Sequence, residues 1–137
     1  MIKVVPDINV LIAAVLSEKG MSYQLIHLFT EGKIIGYTSK EILIKFKEVI
    51  QRDFQVPLER AEQMVEVFLQ FLKLVEPDIK LNAVKEDDED NSIVECAVYI
   101  KADFLASWDP HLTNIEEFQG IKIMNPGKIL DQLKEAD

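Results

Sequence analysis

The sequence predicts an α/β fold in which a mostly parallel sheet carries helices on both faces. Short apolar segments of strand length alternate with longer helical segments along the chain. The strand segments are continuously apolar, as expected for parallel strands that are covered on both faces. Apolar residues make up 48% of the 137 residues, enough for a substantial core. Because neither a linker nor a repeat is visible, we expect one domain over residues 1–137.

The first half of the chain predicts two strands and four helices. Gly20 and Gly32 are typical of helix breaks, Pro57 precedes the fourth helix and Pro77 ends it. In order, the expected elements are a strand at 2–5, helices at 10–16 and 22–31, a strand at 34–37, and helices at 40–52 and 58–75.

The second half begins with an acidic run at 86–90, which is typical of a solvated loop. A helix at 91–101 and strands at 104–107 and 121–124 follow. Asn125 and Pro126 are suited to the N-cap and first position of a last helix that ends near residue 135.

Composition narrows the functional classes. The net charge of −9 argues against a broadly basic nucleic-acid-binding face, although a metal ion would reverse the sign locally. Cys96 is the single cysteine, so no intrachain disulfide forms, and we expect its side chain to be buried on a helix. No apolar run approaches the ~18 residues of a membrane span, and no signal peptide is visible, so we expect a cytoplasmic protein without a membrane partner.

Four acidic residues lie at the junctions between strands and helices. Asp7 follows the first strand directly, and Glu41 lies about one helical turn beyond the second. Asp109 follows a later strand, and Asp90 opens the helix before that strand. Because the carboxyl ends of parallel strands share one edge of a sheet, these carboxylates are expected to converge.

Converging carboxylates repel one another unless a cation lies between them. Oxygen ligands favour Mg²⁺ or Mn²⁺, and no histidine or cysteine cluster suggests zinc. A water bound to such an ion is acidified and can attack a phosphodiester, which predicts a metal-dependent hydrolase.

Each of the four acids also has a structural interpretation. Asp7, which lies between apolar segments, is then expected to be exposed or paired with another group. Glu41 fits a capping box that begins at Thr38, Asp90 fits an N-cap, and Asp109 before Pro110 fits a turn or cap.

Polar and aromatic residues near the four acids have either a role in the predicted site or a structural role. Asn9 is expected either to orient Asp7 or a metal-bound water, or to begin the following helix. Ser39 and Ser107 bind carboxylates or water, or act in a cap and a turn. Trp108 packs at the pocket edge or stacks on a base, and Glu95 is expected at the surface or rim.

At this point the chain resembles the PIN-domain family over nearly its whole length. Four ordered segments carry the resemblance: Asp7-Ile8-Asn9-Val10-Leu11, Ser39-Lys40-Glu41-Ile42-Leu43, Asp88-Glu89-Asp90-Asn91 leading to Glu95-Cys96-Ala97, and Ser107-Trp108-Asp109-Pro110-His111-Leu112.

The resemblance implies a three-layer α/β/α sandwich and Mg²⁺- or Mn²⁺-dependent hydrolysis of RNA. The family's acidic quartet falls on Asp7, Glu41, Asp90 and Asp109. Asn9 and Ser107 match its polar companions. The chain looks most like the prokaryotic toxins of toxin–antitoxin pairs, which implies a homodimer and an antitoxin partner.

Three positions depart from the family pattern. Ile8 stands where Thr or Ser is usual, Trp108 replaces a glycine, and His111 replaces a further Asp. The last change weakens the case for a second metal ion, and the bulky indole narrows access to the site.

Two other functional classes require acids that are absent after the first strand. A haloacid-dehalogenase-type phosphatase needs a second Asp two residues after the first, where this chain has Asn9. A receiver-type phosphoacceptor needs paired acids after the first strand. A PIN-like binding or assembly module that keeps the acids without turnover remains the main alternative to the ribonuclease.

Overall fold

The computed structural model describes residues 1–78, 80–81 and 88–135, with the side chains of 88–90 excepted. Its elements in chain order are β1 (Lys3–Pro6), α1 (Ile8–Leu16), α2 (Met21–Thr30), β2 (Ile35–Ser39), α3 (Lys40–Phe54), α4 (Leu58–Phe68), β3 (Leu72–Val75), α5 (Asp88–Ile100), β4 (Phe104–Ala106), α6 (Pro110–Thr113), β5 (Glu117–Phe118), β6 (Ile121–Met124) and α7 (Pro126–Glu135). Within the described ranges, no helix is both long and apolar enough to cross a bilayer.

Six strands form one sheet in the order β3-β2-β1-β4-β6-β5. Every pairing is parallel except that of β5 with β6. The helices flank this sheet, so the predicted three-layer α/β/α class is confirmed. The chain moves from β1 outward to β3 and then returns to the other side of β1 as β4. This reversal is a topological switch point, where open α/β sheets form a crevice at the carboxyl ends of their strands.

The centre of the sheet is deeply buried. Val4 and Val5 of β1 have no exposed surface, and Leu105 of β4 has almost none. The register pairs Val5 with Leu105, and the same two strands end side by side. Both strands are therefore fixed by packing on both faces, and so are the residues that follow them.

The predicted helix at 58–75 is wrong in its last third. Helix α4 ends at Phe68, and Leu72–Val75 form strand β3 beside β2. A short apolar segment fits a helix or a strand equally well by periodicity, so tertiary pairing decided the outcome. The pairing depends on Gly36, because a Cβ there would lie 2.5 Å from Leu72 Cδ2. The short elements α6 and β5 were also not predicted.

The end of β2 shows how helix α3 begins. The hydroxyl of Ser39 accepts a hydrogen bond from the Ile42 amide at 3.3 Å, so Ser39 is the N-cap. Thr38 is fully buried, and its hydroxyl has no hydrogen-bond partner within the described part of the chain. The interpretation of Thr38 and Glu41 as a capping box is therefore wrong.

We expect Thr38→Val to leave the free energy of unfolding unchanged or to raise it by up to about 1 kcal/mol, because it removes a buried, unpaired hydroxyl and keeps the shape. The matched variant Thr38→Ser keeps the hydroxyl, loses a buried methyl and should lower that free energy by about 1 kcal/mol. Urea unfolding measures both. A loss above about 1 kcal/mol in Thr38→Val would show that the hydroxyl has a partner.

Candidate functional site

Asp7 lies at the switch point, between β1 and α1. Its backbone amide donates to the Ala106 carbonyl at 2.8 Å, which ties it to the end of β4. Its Oδ1 accepts a hydrogen bond from the Ile8 amide at 2.6 Å, so the carboxylate caps helix α1. Only 4% of the residue is exposed. A carboxylate this deeply buried requires hydrogen-bond donors around it.

Ser107 and Asn9 supply further donors. The Ser107 hydroxyl donates to Asp7 Oδ2 at 2.6 Å, and the Asn9 amide nitrogen donates to the same oxygen at 3.2 Å. Ser107 has no exposed surface. Charge-assisted hydrogen bonds of this kind are stronger than neutral ones, so they hold the carboxylate in one orientation.

Asp109 is joined to this network through the same serine. The Ser107 hydroxyl oxygen accepts from the Asp109 amide at 3.0 Å, and Asn9 Oδ1 accepts from the Trp108 amide at 3.1 Å. Asp109 Oδ1 accepts from the His111 amide at 2.9 Å, which begins α6. The structure therefore brings together the predicted residues at the ends of β1 and β4.

Glu41 lies in the first turn of α3 and is exposed. Its Oε1 is 3.8 Å from Lys80 Nζ, and its side chain is 53% exposed. A pocket of about 310 Å³ beside it is also lined by Ile8 and by Ser92 of α5. Since Ile8 follows Asp7 directly, this pocket adjoins the network, although no hydrogen bond among the described residues joins Glu41 to Asp7. Ser39 is buried beneath Glu41 and acts as the cap of α3.

Asp90 belongs to α5, but its side chain lies outside the described residues. The helix begins earlier than the expected residue 91. Further along α5, Glu95 is only 5% exposed, and its Oε2 accepts a hydrogen bond from the Leu81 amide at 2.8 Å. The expectation of a surface position for Glu95 is therefore wrong: its carboxylate binds the backbone of the segment that leads into the acidic run.

Carboxylate oxygens fit the ligand preference of Mg²⁺ and Mn²⁺. Asp7 and Asp109 share Ser107 as a hydrogen-bond partner, so one hydroxyl links two of the predicted ligands. Among the side chains that the structure describes, no three acidic, histidine or cysteine groups are clustered as metal ligands. The four-carboxylate metal site therefore stays a prediction.

Cys96 is buried on α5, as expected from the sequence. Burial raises the pKa of its thiol to about 12, and the nearby negative charge of Glu41 contributes in the same direction. Glu41 of α3 and Ser92 of α5 also line the same pocket, so Glu41 lies beside the helix that carries Asp90.

Trp108 contacts the protein in a way that the sequence did not reveal. Its indole Nε1 donates to the hydroxyl of Ser22 at 2.8 Å, across 86 positions of the chain. Ser22 lies in the first turn of α2 and is 2% exposed, whereas Trp108 is 43% exposed. No local pattern connects these two residues.

The fold agrees with the comparisons. Residues 3–111 match the PIN domain family, and the chain belongs to that family, whose members are generally nucleases. The resemblance drawn from the sequence segments is confirmed at the level of the family.

Two further similarities extend over most of the chain. The Uncharacterized protein MJ1680 of Methanocaldococcus jannaschii is 30% identical over 129 residues, which cover 90% of this chain and 82% of that protein. The crystal structure of VapBC2 from Rickettsia felis bound to a DNA fragment from their promoter is similar with a TM-score of 0.68. That match covers 90% of this chain and 98% of the other at 14% identity, so it concerns the fold.

Ser107→Ala should lower the free energy of unfolding by about 1–3 kcal/mol, because it removes a donor to the buried carboxylate of Asp7. In the Asp7→Asn background, Ser107→Ala should lower the free energy of unfolding by a smaller amount, because the charge that strengthens the hydrogen bond is absent. Urea unfolding of the four proteins in this double-mutant cycle measures the coupling. Equal costs in both backgrounds would contradict a charge-assisted bond.

The Cys96 thiol should react slowly with iodoacetamide at pH 8 in the native protein and rapidly in urea, because the thiolate is the reactive form. The folded pKa of about 12 lies above the ordinary 9.0, so the unfolded chain ionises first as the pH rises. The contribution of the Cys96 thiol to the free energy of unfolding is therefore fully present below pH 9 and is lost as the pH rises towards 12. Mass spectrometry of the alkylated fraction measures the reaction, and fast native labelling would contradict the burial.

Proposed function

We propose that this chain, residues 1–137 as one domain, is a metal-dependent endoribonuclease that hydrolyses phosphodiester bonds in RNA. The observation that carries the proposal is the hydrogen-bonded link from Asp7 through Ser107 to Asp109 at the switch point of the sheet. Membership of the PIN domain family supports the nuclease class.

The proposed metal ligands are Asp7, Glu41, Asp90 and Asp109. Bound there, Mg²⁺ or Mn²⁺ would supply an acidified water and would stabilise the charge that develops on the phosphate. Hard cations favour such oxygen ligands, and Glu41 lies beside the pocket that adjoins Asp7.

The supporting residues act on the orientation of the acids. Ser107 donates to Asp7 and accepts from the Asp109 backbone, so its hydroxyl fixes the two acids relative to each other. Asn9 donates to Asp7 and accepts from the backbone at Trp108. Ser39 caps α3 and thereby sets the position of Glu41. Because these hydrogen bonds fix the acidic side chains in advance, their positions should change little when substrate binds.

Basic side chains near the acids are suited to the RNA backbone. Lys40 lines a pocket with Ser39 and Glu41, and Lys45 lines the pocket beside Ile8. Lys45 Nζ also lies 3.1 Å from Glu48 Oε2, and the two side chains are 21% and 57% exposed, so solvent reaches this pair. We therefore assign phosphate contacts to the start of α3.

We further propose that the chain acts as a homodimer and as the toxin of a toxin–antitoxin pair. The similarity of fold to VapBC2 supports the second proposal. Exposed apolar side chains support protein contacts in general. They include Leu16, Met21, Ile44, Leu58, Val67 and Leu69.

The proposal predicts cleavage of single-stranded RNA that requires Mg²⁺ or Mn²⁺. Asp7→Asn, Asp90→Asn and Asp109→Asn should each lower the rate by roughly 100-fold or more, since each removes a proposed metal ligand. Glu62→Gln on α4 removes the same charge from an exposed position and should cleave at the wild-type rate. Gel analysis of a mixed panel of oligonucleotides, with and without EDTA, gives the rates.

Three controls make the result decisive. Thermal melting shows that each variant is folded, calorimetry measures metal binding, and light scattering gives the oligomeric state. Metal binding without cleavage of any RNA in the panel would favour the binding or assembly module. Absence of metal binding in the folded wild type would overturn the four-carboxylate site.

A further inference from the structure

Trp108 is the single tryptophan of the chain, and it lies between two residues of the proposed site. Ser107 before it binds Asp7, and Asp109 after it begins α6. Consecutive Cα atoms are about 3.8 Å apart, so the indole projects from the backbone of the site itself.

Both polar groups of Trp108 are bound within the protein. The indole N–H donates to the buried hydroxyl of Ser22, and the backbone N–H donates to Asn9 Oδ1. These two hydrogen bonds orient the side chain before any ligand arrives. The residue nevertheless remains 43% exposed.

An indole that is held in one orientation and left exposed does not add the stabilisation that its burial would give. Its apolar area is left in water, where burial would stabilise the fold. Asn9 is one of the residues that orient it, so the arrangement is built from the same network that holds Asp7. A surface of this kind is suited to a planar ligand.

We propose that Trp108 stacks on an unpaired base of the RNA next to the phosphate that is cleaved. The inference rests on the proposed ribonuclease function and adds a specificity residue to it. Single-stranded RNA is recognised largely through splayed bases that stack on aromatic rings. Duplex RNA keeps its bases stacked on one another, so Trp108 selects single strands.

The charge of the protein strengthens this inference. A chain with a net charge of −9 gains little from general attraction to phosphates. Stacking on an aromatic ring does not depend on that attraction and occurs with every base. The stacking contribution is therefore expected to persist at moderate salt concentration.

The experiment uses the fluorescence of Trp108, which reports one position because no other tryptophan is present. The wild-type protein in EDTA, which is expected to bind without cleaving, is titrated with a single-stranded RNA, the duplex of the same strand, and an abasic strand of equal length. We expect saturable quenching by the single strand and little change with the other two ligands.

Binding of labelled RNA by fluorescence anisotropy gives the affinity of each variant. Trp108→Leu should weaken binding roughly five- to 150-fold, the range that corresponds to loss of one stacked base. Trp108→Phe keeps a ring and should retain most of the affinity. Ser22→Ala keeps the indole but removes its hydrogen-bond partner, so an intermediate loss is expected.

The outcomes separate this inference from the function on which it rests. RNA cleavage together with unquenched fluorescence and unchanged affinity in Trp108→Leu would overturn stacking and leave the ribonuclease standing. Absence of both binding and cleavage by folded wild type would overturn both. A shift in oligomeric state on substitution, without quenching by RNA, would assign the ring to a protein contact. If Trp108→Leu does not fold, the quenching data and Trp108→Phe still decide.

Discussion

The buried carboxylate of Asp7 is the interaction on which the described site depends. It caps α1, accepts from Ser107 beyond β4, and is joined to Asn9, so one charged group connects a helix and two strands. A buried carboxylate is stable only while such donors surround it. The local structure and the proposed chemistry are therefore held by the same hydrogen bonds, and neither can change independently.

The sheet topology explains why these groups meet. Strand β1 lies between β2 and β4, and the chain reverses direction across the sheet at this point. The residues after β1 and β4 come together although about 100 positions separate Asp7 from Ser107. Glu41 follows the outer neighbour β2, which is consistent with its exposed position at an adjoining pocket.

The sequence predicted the fold class, most of the elements and the position of Asp7 and Asp109 at one edge of the sheet, because apolar strands and polar junction residues are local signals. For Asn9 and Ser107 it left a bond to Asp7 open beside a helix start and a turn, and the structure shows the bond. The prediction from sequence failed where the outcome depended on tertiary pairing. Residues 72–75 form a strand beside β2, where Gly36 leaves room for Leu72. Glu95 is buried, and its carboxylate accepts a hydrogen bond from the amide of Leu81, which is distant in sequence. The bond from Trp108 to Ser22 joins distant side chains and leaves no periodic trace. The Asp90 side chain lies outside the described residues, so its place in the quartet stays a prediction.

The hydrogen bond from Leu81 to Glu95 determines how the length of the segment between them affects stability. It closes the chain over 14 positions, so the two ends of the intervening segment are joined by a bond that does not depend on the residues between them. Doubling the length of a closed loop costs only about 0.6 kcal/mol in entropy. A change in the number of residues between Leu81 and the start of α5 should therefore cost little stability, provided that the hydrogen bond to Glu95 is kept.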